Sequence, residues 1–277
     1  MNKVWLITGA NRGIGAEIAR AALAAGDYVV AASRHPETAA DTFGHHPHLT
    51  ALHLDVTREA DAARAVQQVI DQHGRLDVVV NNAGYPLLGA LETTTDAEVR
   101  RQFDTNVFGL LHVTRAVLPQ LRKQRAGHII NISSMQGVIG APASSSYSAS
   151  KFAVEGLSES LQQEVAPLGI KVTLVEPGTF RTELLSDKSL HKAQDVLPDY
   201  APTVGQTLSY VDQLSGQQPG DPQRLAAAIV QLTNEAEPPL RLLAGSDAVQ
   251  YVTQALRHRL AEAEKWHALS VSTDFPT

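Results

Sequence analysis

The sequence predicts an α/β protein built on one doubly wound, mostly parallel sheet of about seven strands with helices on both faces. Short apolar segments of strand length alternate with longer segments of helical periodicity, which is the pattern of repeated β-α-β units. The apolar run at residues 76–80 shows no polar alternation, as is typical of a parallel strand covered on both faces. A glycine-rich turn at residues 9–15 follows the first strand, as expected for this class of fold.

The predicted elements follow one another in a regular order. Gly26 is placed to end the first helix, and Thr95 with Glu98 forms a capping box. Asp221 followed by Pro222 indicates the start of a further helix. Joined by right-handed crossovers, the units form a Rossmann-like fold. Strands are predicted at residues 4–8, 28–32, 49–54, 76–80, 128–132, 170–175 and 240–243, and the other helices at 14–25, 60–72, 95–122, 148–166 and 247–269.

Length and composition indicate a single domain over residues 1–277 and exclude several kinds of function. The chain has no cysteine, which rules out disulfides, thiolate catalysis and cysteine-ligated metals and fits the reducing cytoplasm. Its formal net charge is -6 and its pI is about 6.0, so we expect no basic surface for nucleic acid. No run of 18 apolar residues is present, so we expect no membrane span.

Residues 178–220 interrupt the alternation of strands and helices. This segment holds several prolines and would leave the sheet at its carboxyl edge, where ligands bind in such folds. We predict a substrate lid, with a mobile surface loop as the alternative. Arg181 and Lys188 leave an acidic substrate open. Apolar residues of the lid and of the segment after the fourth strand favour an apolar pocket: Phe180, Leu184, Leu185, Leu190, Val196, Leu197, Tyr200, Leu208, Leu87 and Leu88.

The turn between the first strand and the first helix runs from Thr8 to Gly15 with the sequence TGANRGIG. Glycines permit a tight turn and a close approach of the backbone to a pyrophosphate, and the helix N-terminus offers N–H groups to phosphate. The alternative is a glycine-rich turn that binds nothing. The spacing T-G-x-x-x-G-x-G resembles that of the short-chain dehydrogenase/reductase family, in its short, single-domain branch.

Further motifs carry the same resemblance in the same order along the chain. Residues 81–84 read N-N-A-G, and Asp55-Val56 resembles the pair that meets the adenine ring. Ser134 and the Y-x-x-x-K pair at 147–151 resemble the catalytic residues, and Pro177-Gly178 with Thr182 resembles a P-G-x-x-x-T stretch near the nicotinamide. The resemblance implies a nicotinamide cofactor bound by Gly9, Asn11, Arg12, Gly13, Ile14, Gly15, Asp55, Val56, Asn82, Ala83, Gly84, Tyr147, Lys151, Pro177, Gly178 and Thr182.

The end of the second strand indicates which cofactor is used. Enzymes for NAD place an acid there for the ribose 2′-OH, whereas enzymes for NADP carry a neutral residue and a nearby arginine. Ser33 occupies the position of the acid, by similarity to the family, and Arg34 follows it. Arg12 in the glycine turn is a second guanidinium within reach of a 2′-phosphate, a group that arginine binds bidentately. The sequence therefore predicts NADP(H), with two merely solvated arginines as the alternative.

Tyr147 and Lys151 are the predicted acid/base pair. They are four residues apart on a predicted helix, so their side chains share one face. A carbonyl that accepts a hydride also needs a proton, and a nearby cation lowers the pKa of a tyrosine so that it can exchange one.

Ser134 and Asn106 complete the predicted catalytic set. The family spacing favours Ser134 as the group that stabilises the substrate oxygen, with Ser133 and residues 144–146 as competitors. The resemblance implies that Asn106 holds a water linking Lys151 to solvent. A helix kink is compatible with this role, since asparagine is a poor helix former.

Together these features predict an NADP(H)-dependent oxidoreductase that acts on a carbonyl or alcohol carbon of a largely apolar small molecule. The alternatives are an epimerase or dehydratase on the same fold, and a non-catalytic NADP-binding regulator. His45, His46 and His48 resemble a metal cluster but have no carboxylate at ligand spacing, so no metal is predicted. The resemblance also implies a homo-oligomer, a dimer or a tetramer.

Overall fold

The computed structural model describes residues 2–183, 190–193 and 197–275. The strands in this part of the chain are β1 Val4–Thr8, β2 Tyr28–Ser33, β3 Leu49–His53, β4 Val78–Asn81, β5 Leu87–Leu88, β6 Gly127–Ile132, β7 Ile170–Pro177, β8 His191–Lys192 and β9 Arg241–Ala244. Seven of them form one sheet in the order β3-β2-β1-β4-β6-β7-β9, with every neighbouring pair parallel. The short strands β5 and β8 pair separately.

Helices connect the strands of the main sheet. They are α1 Gly13–Ala24, α2 Ala39–Phe43, α3 Glu59–His73, α4 Asp96–Phe103, α5 Gly109–Gln124, α6 Ser145–Val165, α7 Gln206–Leu214, α8 Pro222–Leu232, α9 Ser246–Lys265 and α10 His267–Val271. The predicted capping box at Thr95 and Glu98 is confirmed, as is Asp221, whose carboxylate accepts hydrogen bonds from the N–H groups of Gln223 and Arg224. Among the described helices, none combines the length and the apolar character needed to span a bilayer.

Alternate side chains of each strand pack on opposite faces of the sheet. Val4 and Leu6 of β1 pack with α3 and α5, whereas Trp5 and Ile7 pack with α1 and α8. All five residues of β1 are buried, because a strand covered on both faces has no side that solvent can reach. The predicted doubly wound parallel sheet with helices on both faces is therefore confirmed.

The strand order places a crevice between β1 and β4. The chain builds outward from β1 through β2 to β3, and then returns to add β4 on the other side of β1. The loops after β1 and β4 therefore leave in opposite directions at the carboxyl edge of the sheet, which is where such folds bind ligands. The glycine turn follows β1, and the N-N-A-G motif follows β4.

Two predicted helices differ from those in the structure. The helix predicted over residues 95–122 is interrupted at Asp104–Phe108 by a π-helical turn, which contains Asn106 and separates α4 from α5. Such turns often lie at functional sites. The final helix, predicted over residues 247–269, ends at Lys265, and Trp266 leaves the helical region before α10 begins.

The segment predicted as a lid contains more regular structure than its sequence indicated. Strand β8 pairs with β5, and His191 N donates to Pro86 O at 3.2 Å and Ala193 N to Leu88 O at 2.8 Å. Farther along, Tyr200 and Leu208 pack with Val204 against Ala90 and Ala143. Leu184, Leu185, Lys188 and Val196, which were predicted for the lid, lie outside the described residues.

His128, buried in β6, predicts a dependence of stability on pH. Its Nε2 lies 2.9 Å from Thr173 Oγ1, which itself donates to Pro239 O, so the imidazole donates through Nε2 and leaves Nδ1 buried. Burial lowers the pKa of His128 to about 4. Below pH 6.5 the unfolded state therefore binds a proton that the folded state does not, and stability falls by about 3 kcal/mol towards pH 4.

Replacing this imidazole by an amide that does not titrate tests the effect. In thermal melts, His128→Gln should lower Tm at pH 7.5 through lost packing, but the gap between variant and unaltered protein should narrow at pH 5. A gap that stays constant between these pH values would contradict the lowered pKa.

Candidate active site

Hydrogen bonds from the N-N-A-G segment hold the turn after β1 in place. Asn82 Nδ2 donates to Thr8 O at 2.9 Å and to Gly9 O at 3.1 Å, while the Asn82 and Ala83 amides both donate to Thr8 Oγ1 at 3.0 Å. A Cβ on Gly15 would lie 2.6 Å from Gly9 O and would also strike Asn82 Nδ2. Gly9 has a φ of +63°, the left-handed region that favours glycine. The glycines are therefore required by this packing.

A cleft of about 730 Å³ opens above this turn along the carboxyl edge of the sheet. Most of the predicted site residues line it: Gly9, Asn11, Arg12, Gly13, Ile14, Ser33, Arg34, Asp55, Val56, Asn82, Ala83, Gly84, Ser134, Tyr147, Lys151, Pro177, Gly178 and Thr182. Gly15 and Asn106, which were predicted with them, do not line the cleft. Both are buried behind its wall, where they hold other residues in place.

One end of the cleft carries the groups expected around an adenosine. Ser33 is buried at the end of β2, and its Oγ accepts a hydrogen bond from His35 N at 3.2 Å. Arg12 and Arg34 are exposed on the rim. Asp55 lines the same cleft and accepts hydrogen bonds from the backbone and the hydroxyl of Thr57. The neutral Ser33 beside two guanidinium groups favours a dianionic phosphate at this end.

The predicted catalytic side chains meet at the other end of the cleft. Ser134 follows β6, and Tyr147 and Lys151 lie on the first turns of α6, which begins three residues earlier than predicted. Lys151 Nζ lies 5.8 Å from the centroid of the Tyr147 ring and donates to Ile132 O at 2.8 Å. Ser134 is the hydroxyl that interacts with the Tyr147 phenol, whereas its competitor Ser133 is buried.

The pKa of Tyr147 differs from the expectation that a nearby cation lowers it. Burial raises the pKa of Tyr147 to about 12, and the Ser134 hydroxyl lowers it only in part. Burial also lowers the pKa of Lys151 to about 8, against the opposing charge of Glu155. Desolvation therefore dominates both groups in the protein alone. A proton-transfer role for Tyr147 depends on Lys151 remaining charged.

Asn106 orders the cleft wall and does not face the cleft. Its side-chain Oδ1 accepts from Tyr85 N at 3.1 Å, and its Nδ2 donates to Tyr85 O and to Ser150 Oγ, each at 3.1 Å. Gly84 fits against this amide, since a Cβ there would lie 3.1 Å from Asn106 Oδ1 and 3.8 Å from Lys151 Nζ. The predicted water-holding role of Asn106 remains a prediction.

Several residues of the site carry no motif that the sequence analysis could use. Asp247, at the start of α9, accepts hydrogen bonds from Thr179 N at 2.8 Å and Thr179 Oγ1 at 2.7 Å and fixes the chain beside Gly178. Only its position at a helix start could have indicated it. Phe180, which was predicted for the pocket, and Ser133, the competitor of Ser134, also line the cleft. Lining residues that were not predicted are His35, Leu54, Thr57, Tyr85, Arg101, Asp104, Thr105, Ile132, Glu183 and His191.

Comparison with known sequences adds to this geometry. The family model of the short chain dehydrogenases matches residues 3–193. The oxidoreductase BOA17 of Botryotinia fuckeliana is 41% identical over 276 residues, covering 99% of this chain and 100% of that protein. The 3-ketodihydrosphingosine reductase of Bacteroides thetaiotaomicron is 40% identical over 243 residues, covering 88% of each.

Solved structures resemble the chain over most of its length. A short-chain dehydrogenase from Streptomyces avermitilis superposes with a TM-score of 0.91 at 43% identity, covering 99% of this chain and 100% of that one. ElxO with NADP bound superposes with a TM-score of 0.75 at 29% identity, covering 90% of this chain and 100% of that one.

Proposed function

The chain belongs to the short-chain dehydrogenase/reductase family of oxidoreductases, and on that premise we propose that it transfers a hydride between NADP(H) and a carbonyl or alcohol carbon. The observation that carries the proposal is one cleft that joins a glycine turn, two rim arginines and the Ser134, Tyr147 and Lys151 side chains.

The chain's own residues fit the cofactor. Gly9 and Gly13 line the cleft without a side chain, so the backbone of the turn is open to a pyrophosphate at the start of α1. Ser33 avoids the repulsion that a carboxylate would exert on a 2′-phosphate, and Arg34 offers a guanidinium beside it. ElxO, with NADP bound, is a structural neighbour of this chain.

Each catalytic residue then has a definite task. The nicotinamide, when bound, supplies or accepts the hydride. Ser134 donates a hydrogen bond to the substrate oxygen and stabilises its developing charge. Tyr147 donates a proton to that oxygen during reduction and takes it back during oxidation. Lys151, held by Ile132 O, favours the phenolate through its charge.

The residues of the cleft favour an enzyme rather than a regulator. They also favour a carbonyl substrate of largely apolar character. Ser134, Tyr147 and Lys151 are all present and converge, whereas a regulator needs only the cofactor end. The aromatic side chains of Tyr85 and Phe180 line the cleft, and the relative from Bacteroides thetaiotaomicron is named a 3-ketodihydrosphingosine reductase. Leu87 and Leu88, which were expected in the pocket, are buried in the β5–β8 pair and do not line it.

The experiment that tests the function is a panel of ketones, aldehydes and secondary alcohols, assayed by NADPH absorbance. Stoichiometric consumption of NADPH with a ketone supports a reductase. Conversion without net oxidation of the cofactor would favour an epimerase or dehydratase, and cofactor binding without any turnover would favour a regulator. Cytoplasmic location and assembly into a homodimer or homotetramer stay predictions.

The preference for NADP(H) is tested by Arg34→Leu. We expect NADPH affinity to fall roughly 10- to 100-fold, since a charge-assisted hydrogen bond contributes about 1.5–3 kcal/mol, while NADH affinity stays nearly constant. Fluorescence titration measures both. Arg20→Leu is the matched control, because Arg20 is an exposed arginine of α1 that pairs with Glu17 and does not line the cleft. Equal losses of NADPH and NADH affinity would contradict a 2′-phosphate site at Arg34.

A further inference from the structure

A buried cluster of charged groups lies directly behind the catalytic residues. Glu155 follows Lys151 by one helical turn on α6, and Glu176 immediately precedes Pro177. Both glutamates are buried. Arg241, at the start of β9, places Nε 3.1 Å from Glu155 Oε2 and 3.6 Å from Glu176 Oε1. Side chains from three separate elements thus converge behind the cleft. The roles of Ser134, Tyr147 and Lys151 given above do not involve these three charged groups.

The position of the Glu155 carboxylate is determined by close packing. A Cβ on Gly137 would lie 2.6 Å from Ser133 Oγ and 3.1 Å from Glu155 Oε1, so this glycine is needed for the carboxylate to reach the end of β6. Oε2 is held by Arg241, and Oε1 is buried beside the Ser133 hydroxyl. Burying a carboxylate is costly unless its charge has a use or a partner.

Lys151 is a cation that needs such a partner. It is buried in the cleft wall, and its Nζ donates to the neutral carbonyl of Ile132. Residues four apart on a helix share one face, so the Glu155 carboxylate lies on the Lys151 side of α6. It is the charged group that opposes the loss of the Lys151 proton.

Burial and the polar groups around Glu155 shift its pKa in opposite directions. Burial raises the pKa of Glu155, and the Ser133 hydroxyl and Arg241 lower it again. Burial, followed by the neighbouring Glu155 charge, raises the pKa of Glu176 to about 7. Arg241 therefore favours the ionised form of Glu155. The exposed Glu159 binds the other end of Arg241 at 2.7 Å.

We propose that Glu155 is a positioning residue: its buried carboxylate, clamped by Arg241 from the last strand, is the counter-charge that keeps Lys151 a cation during catalysis. The proposal rests on the proposed function only for its catalytic consequence. The charge relation between Glu155 and Lys151 exists in the protein without cofactor or substrate. Through Arg241, strand β9 then influences proton transfer at Tyr147, although β9 does not line the cleft.

Titration of Lys151 by NMR tests the proposal directly. The chain has seven lysines, and in lysine-labelled protein the Cε resonance of Lys151 is assigned by its loss in Lys151→Met. Its midpoint should lie near pH 8 in the unaltered protein. In Glu155→Gln the midpoint should move towards acid by about one pH unit, because the opposing charge is gone while the side-chain shape is kept. Glu155→Asp retains the charge and should largely restore the midpoint.

Glu159→Gln is the matched control. It makes the same carboxylate-to-amide change on the same helix and also removes an ion pair with Arg241, but it lies two turns from Lys151 at the surface. We expect it to leave the Lys151 midpoint unchanged. If the midpoint stays near pH 8 in both Glu155→Gln and Glu155→Asp, or moves equally in Glu159→Gln, the proposal is wrong.

Activity provides a second readout that separates this proposal from the proposed function. With a ketone that the enzyme reduces, Glu155→Gln should shift the alkaline limb of the kcat profile towards acid by the same amount and lower kcat at pH 8 by about fivefold. A protein that reduces no carbonyl compound would contradict the proposed function, while the NMR titration would still decide the role of Glu155.

Discussion

Replacing Tyr147 by phenylalanine should lower kcat for carbonyl reduction by about 10²- to 10⁴-fold, the usual contribution of a positioned general acid, and leave NADPH affinity almost unchanged. The ring remains in the cleft wall, and Lys151 keeps its hydrogen bond to Ile132 O. The change removes the hydroxyl that protonates the substrate oxygen and little else. Steady-state kinetics with NADPH, together with fluorescence titration of the cofactor, measure the two effects separately.

A matched control for this substitution is Tyr210→Phe. Tyr210 lies on α7 and is 61% exposed, so loss of its hydroxyl should change neither kcat nor NADPH binding. Undiminished turnover in Tyr147→Phe would refute the acid/base role. Loss of NADPH binding together with turnover would place Tyr147 in cofactor binding instead.

Replacing Gly15 by alanine should have the opposite effect to Tyr147→Phe. The affinity for NADPH should fall, and activity should be lost because less cofactor is bound. The added Cβ would lie 2.6 Å from Gly9 O and collide with Asn82, and the backbone oxygen cannot move without opening the turn. Overpacking of this kind costs about 1–3 kcal/mol. We therefore expect NADPH affinity to fall roughly 10- to 100-fold, with kcat at saturating NADPH much less affected.

Gly156→Ala is the appropriate comparison for that variant. Gly156 also lies in a helix, α6, but a Cβ there would have no atom within 4 Å, so the change should stabilise the helix by up to about 1 kcal/mol. NADPH affinity should not change. Equal affinities in Gly15→Ala and Gly156→Ala would show that the turn does not approach the cofactor as closely as we propose.

The order of strands and helices could be predicted because apolar residues recur in each element at the spacing that its burial requires. Strands such as β1 and β4 are apolar up to their last residue, since both faces are covered. The glycine turn and the Y-x-x-x-K pair could be located because their spacing follows from close packing and helical geometry. These residues line one cleft, as their order along the chain implied.

The features that could not be predicted depend on contacts between segments distant in the sequence. The β5–β8 pair unites residues about a hundred positions apart through backbone hydrogen bonds, which need no particular side chains. Arg241 meets Glu155 for a similar reason, since β9 pairs with β7 and α6 packs on β7. The pKa of Tyr147 was misjudged because a motif indicates the neighbouring cation but gives no measure of burial.

The pairing of β5 with β8 has a consequence for how such an enzyme can diversify. The segment predicted as a lid is attached at this point through the amides of His191 and Ala193 and the carbonyls of Pro86 and Leu88, so these hydrogen bonds do not depend on which side chains the segment carries. His191 itself lines the cleft. Substitutions in this part of the lid can therefore alter what the cleft accepts while the lid stays docked, which separates the evolution of substrate choice from the maintenance of the fold.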